Sequence, residues 1–291
     1  MQKKDVVIVL GQFDSVHKGH KKIIKNATEY AKKIGVTPLV FTFDKDVATF
    51  LNGKPEEESL VFTNQERKSI IEKMGAEVHF EKTTKKFLSK GKLAFLKYLD
   101  TLYNVKAYFC GFDYRFGKNA GGNVDYLEKY AKEYGKFLSV EPEICLNGEK
   151  ISTRVVKRLL KEGNVKGANQ LLGSEYFICG DVKKGRAVGR SLGFPTANIY
   201  PDVRKVKIKS GVYSGFVNLN ETKYNAIINF GGRPTYSLAE TLVEVYLDNF
   251  SGNLYGKELC VYFDGFIRDI RKFVSEEELK KQLEKDLEVI R

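Results

Sequence analysis

The chain has few histidines and cysteines, and this scarcity excludes several kinds of site. Only three histidines occur in 291 residues, which argues against a metal cage built from imidazoles. The cysteines are widely spaced and form no CxxC pair, so we expect neither a zinc site nor a disulfide framework. This usage is typical of a reducing compartment, and we predict a cytoplasmic location. The four cysteines are Cys110, Cys145, Cys179 and Cys260.

Long apolar runs are also missing. No run approaches the ~18 residues that a membrane helix needs. The basic start of the chain is followed by an apolar run at residues 6–10 only, shorter than the ~7–15 residues of a signal-peptide core. We therefore expect no membrane association and interpret residues 5–10 as a first buried strand.

The charge balance is basic: 49 Lys and Arg against 37 Asp and Glu give a formal net charge of +12. Such a balance can attract nucleic acid. The lysines are nevertheless spread along the chain, without an RNP-like aromatic strand, a Cys/His finger or a dense basic tail. We therefore expect affinity for anionic small molecules and no nucleic-acid partner.

Two domains are predicted from a change in pattern. Up to about residue 165, apolar strands alternate with helical spacing, which indicates an α/β domain with a mostly parallel sheet covered on both faces. From about residue 176, long alternating runs with Gly- and Asn-rich turns indicate a β-barrel or sandwich, and a capping pattern at Ser275 and Glu278 starts a C-terminal helix. We predict domains at residues 1–165 and 172–291, with a hinge region at residues 163–173.

The N-terminal domain carries the segment GQFDSVHKGH at residues 11–20, between the first strand and the first helix. Parallel sheets bind ligands at the carboxyl ends of their strands, and a helix N-terminus there offers N–H groups to phosphate. His17 and His20 can face one way on the first turn, and Gly19 lets a phosphate approach the backbone. This suits nucleotidyl transfer, in which two imidazoles and a helix end position and neutralise phosphoryl oxygens without a protein nucleophile.

This segment resembles the GxFDxxHxGH signature of nucleotidyltransferases, and specifically of bacterial FAD synthetases. The resemblance continues with TNQER at residues 63–67 and with GFDYRFG at residues 111–117, which is similar to a family loop that could line an isoalloxazine site. It implies a Rossmann-like domain that binds ATP and FMN. The implied ATP-binding residues are Gly11, Phe13, Asp14, His17, Gly19, His20, Ser152, Thr153 and Lys157, with His17 and His20 catalytic. The implied flavin-binding residues are Asp113, Tyr114, Arg115 and Phe116.

Two segments depart from the pattern of that family. Its ISSTxxR motif is ISTRVVK here, so Arg154 stands where a threonine belongs and Lys157 replaces an arginine, keeping the charge but losing the bidentate fork. Its proline- and histidine-containing stretch after the second strand is altered to TFDKD at residues 42–46, which places Asp44 and Asp46 where ATP would lie. Both changes predict a slower or differently tuned adenylyl transfer.

The C-terminal domain carries GRSLGFPTAN at residues 189–198, which resembles the GRxLGFPTAN signature of riboflavin kinases. Its glycines allow a loop to fold over phosphates with N–H groups inward. Thr196 and Asn198 fall on one side of an extended segment, and their oxygens suit Mg²⁺. The implied ATP-binding residues are Gly189, Arg190, Gly193, Pro195, Thr196 and Asn198, with Thr196 and Asn198 as metal ligands.

A second kinase-like stretch, NFGGRPTY at residues 229–236, resembles the family's N-x-G-x-R-P-T segment and precedes a predicted strand. Glu244 on that strand matches the family's catalytic glutamate. A carboxylate there can accept the proton of the riboflavin 5′-hydroxyl as it attacks the γ-phosphate. The implied flavin-binding residues of the kinase are Asn229, Gly231, Arg233 and Arg268.

These resemblances cover nearly the whole chain and imply a bifunctional riboflavin kinase and FMN adenylyltransferase. The C-terminal domain is expected to make FMN from riboflavin with ATP and Mg²⁺, and the N-terminal domain to make FAD from FMN and ATP. The expected partners are these small molecules, and a transient homo-oligomer is left open.

Two other interpretations stay open. The N-terminal domain is weak, inactive or regulatory beside an active kinase, or it acts on another phosphate ester such as phosphopantetheine. The attached kinase argues against another ester, because its product would be the next substrate. A regulatory or RNA-binding protein on an inactivated nucleotidyltransferase fold is favoured only by the altered ISTRVVK segment.

Overall fold

The computed structural model describes residues 3–146, 148–184, 193–232 and 241–291. The chain divides into two compact units, Met1–Thr153 and Arg154–Arg291. Within the described ranges, no helix is long and apolar enough to cross a membrane.

The first unit is a parallel sheet with helices on both faces. Its five main strands follow the order β3-β2-β1-β4-β5, and every neighbouring pair is parallel. Residues of β1 contribute to two separate apolar clusters, one on each face of the sheet. The strands are β1 (Asp5–Leu10), β2 (Thr37–Phe43), β3 (Glu77–Glu81), β4 (Asn104–Gly111) and β5 (Phe137–Glu141), followed by the hairpin of β6 (Cys145–Leu146) and β7 (Glu149–Lys150). The helices are α1 (Lys18–Ile34), α2 (Val47–Leu51), α3 (Asn64–Lys73), α4 (Lys85–Leu88), α5 (Lys92–Leu102) and α6 (Val124–Glu133).

The second unit is a closed barrel with helices before and after it. The barrel order is β10-β11-β12-β9-β8-β13, and all its pairs are antiparallel. Its elements are α7 (Thr153–Lys161), which starts at the last residue of the first unit, α8 (Val165–Leu172), β8 (Tyr176–Lys183), β9 (Thr196–Ile199), β10 (Gly211–Leu219), β11 (Thr222–Gly232), β12 (Thr241–Leu247), β13 (Glu258–Arg268) and α9 (Glu276–Ile290).

The predicted fold class is confirmed: an α/β domain, a β-barrel and a C-terminal helix follow one another. The first predicted strand has the predicted ends, because its apolar run VVIVL is buried throughout. The C-terminal helix α9 covers the barrel through Leu287, which packs with Phe194, Val212 and Ile227.

The segment predicted as a hinge forms α8 instead. Val165, Ala168 and Leu172 of this helix are buried. Asn169 links it to the barrel, donating from Nδ2 to the Phe263 carbonyl (2.9 Å) and accepting at Oδ1 from the Tyr176 N–H (2.8 Å). The division between the compact units therefore falls before α7.

The structure also corrects the expectation that the chain has no disulfide. Cys179 on β8 and Cys260 on β13 lie opposite each other in the strand register and are joined, which we call the barrel disulfide. The two residues are 81 positions apart, so only the long-range pairing of the strands brings them together.

Candidate active sites

A cavity of about 660 Å³ lies at the carboxyl edge of the sheet in the first unit. Its lining includes Gly11 after β1, Phe43 at the end of β2, Gly111 at the end of β4 and Glu141 at the end of β5. This is the edge at which parallel sheets bind ligands. The predicted residues that line the cavity are Gly11, Phe13, His17, Gly19, His20, Asp113, Tyr114, Arg115, Phe116, Ser152 and Thr153.

The β1–α1 loop is held in an unusual conformation. Phe13 and Val16 have positive φ values of 47° and 41° and are buried. A β-branched residue rarely adopts this region, and such strain persists only where the surroundings impose it. The Oδ1 atom of Asp14 accepts from the Val61 N–H at 2.8 Å, and the hydroxyls of Ser15 and Thr153 are 2.8 Å apart.

Asp14 therefore serves as an anchor of this loop. It is 1% exposed and is not among the residues that line the cavity. Its contact with ATP, which the resemblance implied, stays a prediction. Lys157, the other implied ATP residue absent from the cavity lining, lies in α7.

His17 and His20 form a stacked pair at the start of α1. Their ring centroids are 3.7 Å apart with an interplanar angle of 12°. His17 caps the helix, because its Nδ1 accepts from the His20 N–H at 3.2 Å. A ring that accepts at Nδ1 carries its proton on Nε2, so His17 offers an Nε2–H donor. A Cβ on Gly19 would lie only 3.0 Å from His17 Cε1, so the glycine also makes room for this ring.

The two imidazoles are neutral near pH 7. Burial lowers the pKa of His17 to about 4, and burial together with the neighbouring His17 lowers the pKa of His20 well below 6.5. A desolvated imidazole disfavours the charged form, and the expectation that the histidines neutralise phosphate charge stays a prediction. They can act on phosphoryl oxygens as hydrogen-bond donors.

An aromatic wall lines another part of the cavity. Its rings touch in sequence: Phe41 and Phe95 are 5.9 Å apart, Phe95 and Phe116 are 5.4 Å apart, and Phe116 stacks on Tyr114 at 5.5 Å. Such a surface suits a flat, conjugated ring system. The aromatic wall comprises Phe41, Phe43, Phe87, Phe95, Tyr114 and Phe116.

Only Tyr114 and Phe116 of this wall were predicted. The other four phenylalanines come from β2, α4 and α5 and carry no shared motif. The signal that could have found Phe43 is its position at the end of a buried strand.

Lys150 is a cavity residue that the sequence analysis missed. Its Nζ lies 2.8 Å from Asp113 Oδ2 and 3.2 Å from Glu143 Oε1, and it sits 4.5 Å from the centre of the Phe112 ring. Hydrogen bonding to Asp113 is the main cause that raises the pKa of Lys150. The carboxylate of Asp113 is thus already paired with a cation that also faces the cavity. The available signal was a basic residue directly before the ISTRVVK segment.

The acidic residues of the altered TFDKD segment do not line the cavity. Asp44 Oδ1 accepts from the Thr83 N–H at 2.8 Å, and Asp46 Oδ1 accepts from the Thr49 N–H at 2.7 Å as the cap of α2. Each of these carboxylates therefore accepts a hydrogen bond from a backbone N–H group. The expectation that they place negative charge at the ATP position is not supported by this geometry.

The TNQER segment also has a structural role. Arg67 is fully buried and donates to the carbonyl oxygens of Gln12 (3.1 Å) and Phe43 (3.0 Å). Gln12 lies just after β1 and Phe43 is the last residue of β2. The guanidinium therefore links the ends of the two strands at the edge of the sheet where the cavity lies.

In the second unit, Glu244 on β12 lies between two asparagines on neighbouring strands. The register places it opposite Asn229 of β11 and opposite Asn198 of β9. Asn229 Nδ2 donates to Glu244 Oε2 at 3.1 Å. The Oδ1 atoms of Asn198 and Asn229 are buried and have no hydrogen-bond partner within the described ranges.

Asn198 of this cluster lines a cavity of about 560 Å³, whereas Glu244 and Asn229 are not among the lining residues. Pro195, Thr196 and Asn198 line it together with residues 250–255. Three of the implied ATP residues are therefore brought together. Gly193 is not among the lining residues, and Gly189, Arg190 and Arg233 lie outside the residues that the structure describes.

Gly231 and Arg268, both implied flavin residues, have structural partners. A Cβ on Gly231 would lie 2.7 Å from Ile270 Cδ1, the end of a half-exposed side chain, and flavin contact by Gly231 stays a prediction. Arg268 forms a bidentate pair with the buried Asp286 of α9, with Nη2 2.7 Å from Oδ2 and Nε 3.0 Å from Oδ1. The pair ties α9 to the barrel, and flavin contact by Arg268 stays a prediction.

Asp248, which directly follows β12, is a poor alternative to Glu244 as a base. Its carboxylate is buried and pairs with Arg291, whose Nη2 and Nε atoms lie 2.9 and 3.0 Å from it. Hydrogen bonding to Arg291 lowers the pKa of Asp248, which reduces its tendency to accept a proton.

Comparisons with known proteins cover both units. The family model described as FAD synthetase matches residues 1–155, and the model described as riboflavin kinase matches residues 172–291. The chain belongs to the bifunctional riboflavin kinase/FMN adenylyltransferase family. Relatives of that name include one from Bacillus subtilis, 32% identical over 96% of this chain and 90% of the relative. Another, from Escherichia coli K12, is 31% identical with the same coverage.

A solved structure supports the fold across the family match. It is 31% identical, has a TM-score of 0.89, and covers 100% of this chain and 95% of its own. Its title names a macrolide-efflux protein from Streptococcus pneumoniae. That title describes the other protein, whereas both family models and the curated relatives name flavin enzymes.

Proposed function

We propose that the second unit transfers the γ-phosphoryl group of ATP to riboflavin, and that the first unit transfers the AMP moiety of ATP to the resulting FMN. The observation that carries the proposal is the composition of the first unit's cavity. It joins a neutral donor pair, His17 and His20, to an aromatic wall at the ligand-binding edge of the sheet. A nucleotide phosphate and a flavin ring need these two surfaces.

For adenylyl transfer, an FMN phosphate oxygen attacks the α-phosphorus of ATP, and pyrophosphate leaves. The chain then contributes positioning and charge stabilisation. The Nε2–H of His17 donates to a phosphoryl oxygen, and the first turn of α1 offers backbone N–H groups. The aromatic wall holds the isoalloxazine ring.

For riboflavin phosphorylation, Glu244 accepts the proton of the 5′-hydroxyl as that oxygen attacks the γ-phosphorus. Thr196 and Asn198 are the residues that would hold Mg²⁺. The buried Oδ1 of Asn198, which has no hydrogen-bond partner within the described ranges, fits such a ligand, because Mg²⁺ prefers oxygen donors. When bound, the ion would neutralise charge on the ATP phosphates.

The two sites can be tested separately in the intact protein. Riboflavin, ATP and Mg²⁺ are supplied to the wild type, to His20→Ala and to Glu244→Gln, and the flavins are separated by chromatography. The wild type should form FMN and FAD, and His20→Ala should form FMN with little FAD. Glu244→Gln should form FMN about 10²–10⁴-fold more slowly, yet should convert supplied FMN to FAD at the wild-type rate.

Each outcome selects an interpretation. FMN without FAD from the wild type would mean that the first unit is inactive or regulatory. No product at all would overturn the proposal. Loss of both activities in a folded His20→Ala variant would contradict the assignment of two separate sites.

We also propose a cytoplasmic location, which the use of ATP by both reactions favours. The half-exposed barrel disulfide points the other way, because the cytosol keeps most thiols reduced. Thiol alkylation of intact cells before lysis tests this: a cytoplasmic protein should be recovered with Cys179 and Cys260 alkylated, and recovery of the oxidised pair would contradict the proposed location.

A further inference from the structure

The amide of Asn229 contacts the carboxylate that the kinase reaction uses. We infer that Asn229 is a positioning residue of the riboflavin kinase, holding Glu244 so that one carboxylate oxygen faces the 5′-hydroxyl. The inference rests on the proposed function. Its basis is the 3.1 Å hydrogen bond from Asn229 Nδ2 to Glu244 Oε2, between residues directly opposite on β11 and β12.

The strand register makes this contact specific. Opposite residues of an antiparallel pair bring their side chains within direct reach. A glutamate has several rotatable bonds, and one donor from a rigid neighbouring strand selects among its orientations. A carboxylate is a strong acceptor for such a donor. The donor fixes Oε2 on the side of β11, and we assign the proton transfer to the other oxygen, Oε1.

The two ends of the Asn229 amide have separate roles. Nδ2 is the donor to Glu244, whereas Oδ1 is buried and has no hydrogen-bond partner within the described ranges. A direct flavin ligand would act through Oδ1, and a positioning residue acts through Nδ2. Substitution by aspartate separates these roles, because it keeps Oδ1 and the side-chain volume but replaces the donor with an acceptor.

The reaction that Asn229 supports is the transfer of the γ-phosphoryl group from ATP to riboflavin. The riboflavin 5′-oxygen forms a bond to the γ-phosphorus, the bond from that phosphorus to the β–γ bridging oxygen breaks, and ADP leaves. The hydroxyl proton passes to Glu244 Oε1 and then to solvent. Asn229 neither gains nor loses a proton.

The test measures kcat and KM of the full-length protein for FMN formation in Asn229→Asp and Asn229→Ala. We expect Asn229→Asp to lower kcat about 10–100-fold, as loss of a hydrogen bond to a charged group does. The KM for riboflavin should change less than about threefold, because Oδ1 is retained. Asn229→Asp should be at least as slow as Asn229→Ala, since it adds a second negative charge beside Glu244.

A matched control is Asn218→Asp, the same change at an exposed position of β10 that lies opposite Lys223. Its kcat should stay within about twofold of the wild-type value, because surface substitutions usually have small effects.

A double-variant cycle provides the second readout. With Glu244→Gln already present, Asn229→Asp should alter kcat less than about threefold, because no base remains to be oriented. Melting curves and riboflavin binding verify folding, and Asn229→Ala completes the cycle if the aspartate variant does not fold.

The outcomes separate the inference from the proposed function. A wild type that forms no FMN overturns both. An active wild type with Asn229→Asp at the wild-type rate overturns the inference alone. A change confined to the KM for riboflavin would make Asn229 a flavin ligand. If the fall in kcat caused by Asn229→Asp were the same with and without Glu244→Gln, Asn229 would be a packing residue.

Discussion

Burial of His17 should make the first unit sensitive to mild acid. Its pKa is 6.5 when exposed and about 4 in the fold, where burial disfavours the imidazolium. The unfolded chain therefore binds a proton between these values that the folded chain rejects. Stability from this group is complete above pH 6.5 and is lost as the pH falls to about 4. The shift corresponds to about 3 kcal/mol at full effect.

The variant that isolates this effect is His17→Asn. Asparagine is a good helix cap, so it can replace the Nδ1 acceptor at the start of α1, but it does not titrate. Between pH 7 and pH 4.5 the wild type should lose about 2–3 kcal/mol more stability than the variant. His20, whose pKa is also lowered by burial, should add a loss in the same direction in both proteins.

Hydrogen exchange with urea titration is the suitable assay, because it reports each unit of the chain separately. Peptides from β1 and α1 should show the difference between wild type and His17→Asn. Peptides from the barrel strands serve as the internal control and should respond equally in both proteins. An identical pH dependence of β1 and α1 in the two proteins would refute the assignment of a buried neutral imidazole.

Three further predictions concern the second unit. Reduction of the barrel disulfide, which closes a separation of 81 residues, should lower its unfolding free energy by about 4 kcal/mol, visible as an earlier melting transition with reductant. Asp286→Ala should cost about 3–5 kcal/mol in urea unfolding, because it leaves the Arg268 guanidinium without its partner against α9; an effect below about 1 kcal/mol would contradict this. A fragment of residues 154–291 should fold and phosphorylate riboflavin. A fragment of residues 172–291 should have a lower melting temperature, because it lacks the contacts of α8 with the barrel. Equal melting temperatures of the two fragments would show that α8 is dispensable.

Hydrogen bonds between residues close in sequence follow local patterns in both units. Thr63 and Glu66 of the TNQER segment form a complete capping box at the start of α3, because both of its hydrogen bonds are made within four residues. The cap of α9 is present only in part: Ser275 accepts from the Glu278 N–H, but the Glu278 carboxylate accepts from Val274. Contacts between residues so close in sequence depend on local backbone geometry. A local sequence pattern therefore predicts them well.

Predictions from sequence spacing failed where the residues in contact are far apart in the sequence. The barrel disulfide, the aromatic wall and the contact of Lys150 with Asp113 all join residues from separate elements. A local signal can mark one residue of such a pair, such as Phe43 or Lys150, but not its partner, because the partner depends on which elements become neighbours in the fold. The hinge prediction failed for the same reason: α8 is stabilised by bonds from Asn169 to β8 and β13, which lie beyond its own sequence.

The sequence by itself determined the class of each unit and the residue types of both candidate sites. Periodicity reports which faces must be buried, and the motifs place histidines after β1 and a glutamate on β12. Only the tertiary structure decided that Glu244 is flanked by Asn229 and Asn198, and that His17 is buried and neutral. Register and desolvation are the reasons, because both arise from elements that are far apart in the chain and meet only when the sheet and the barrel close.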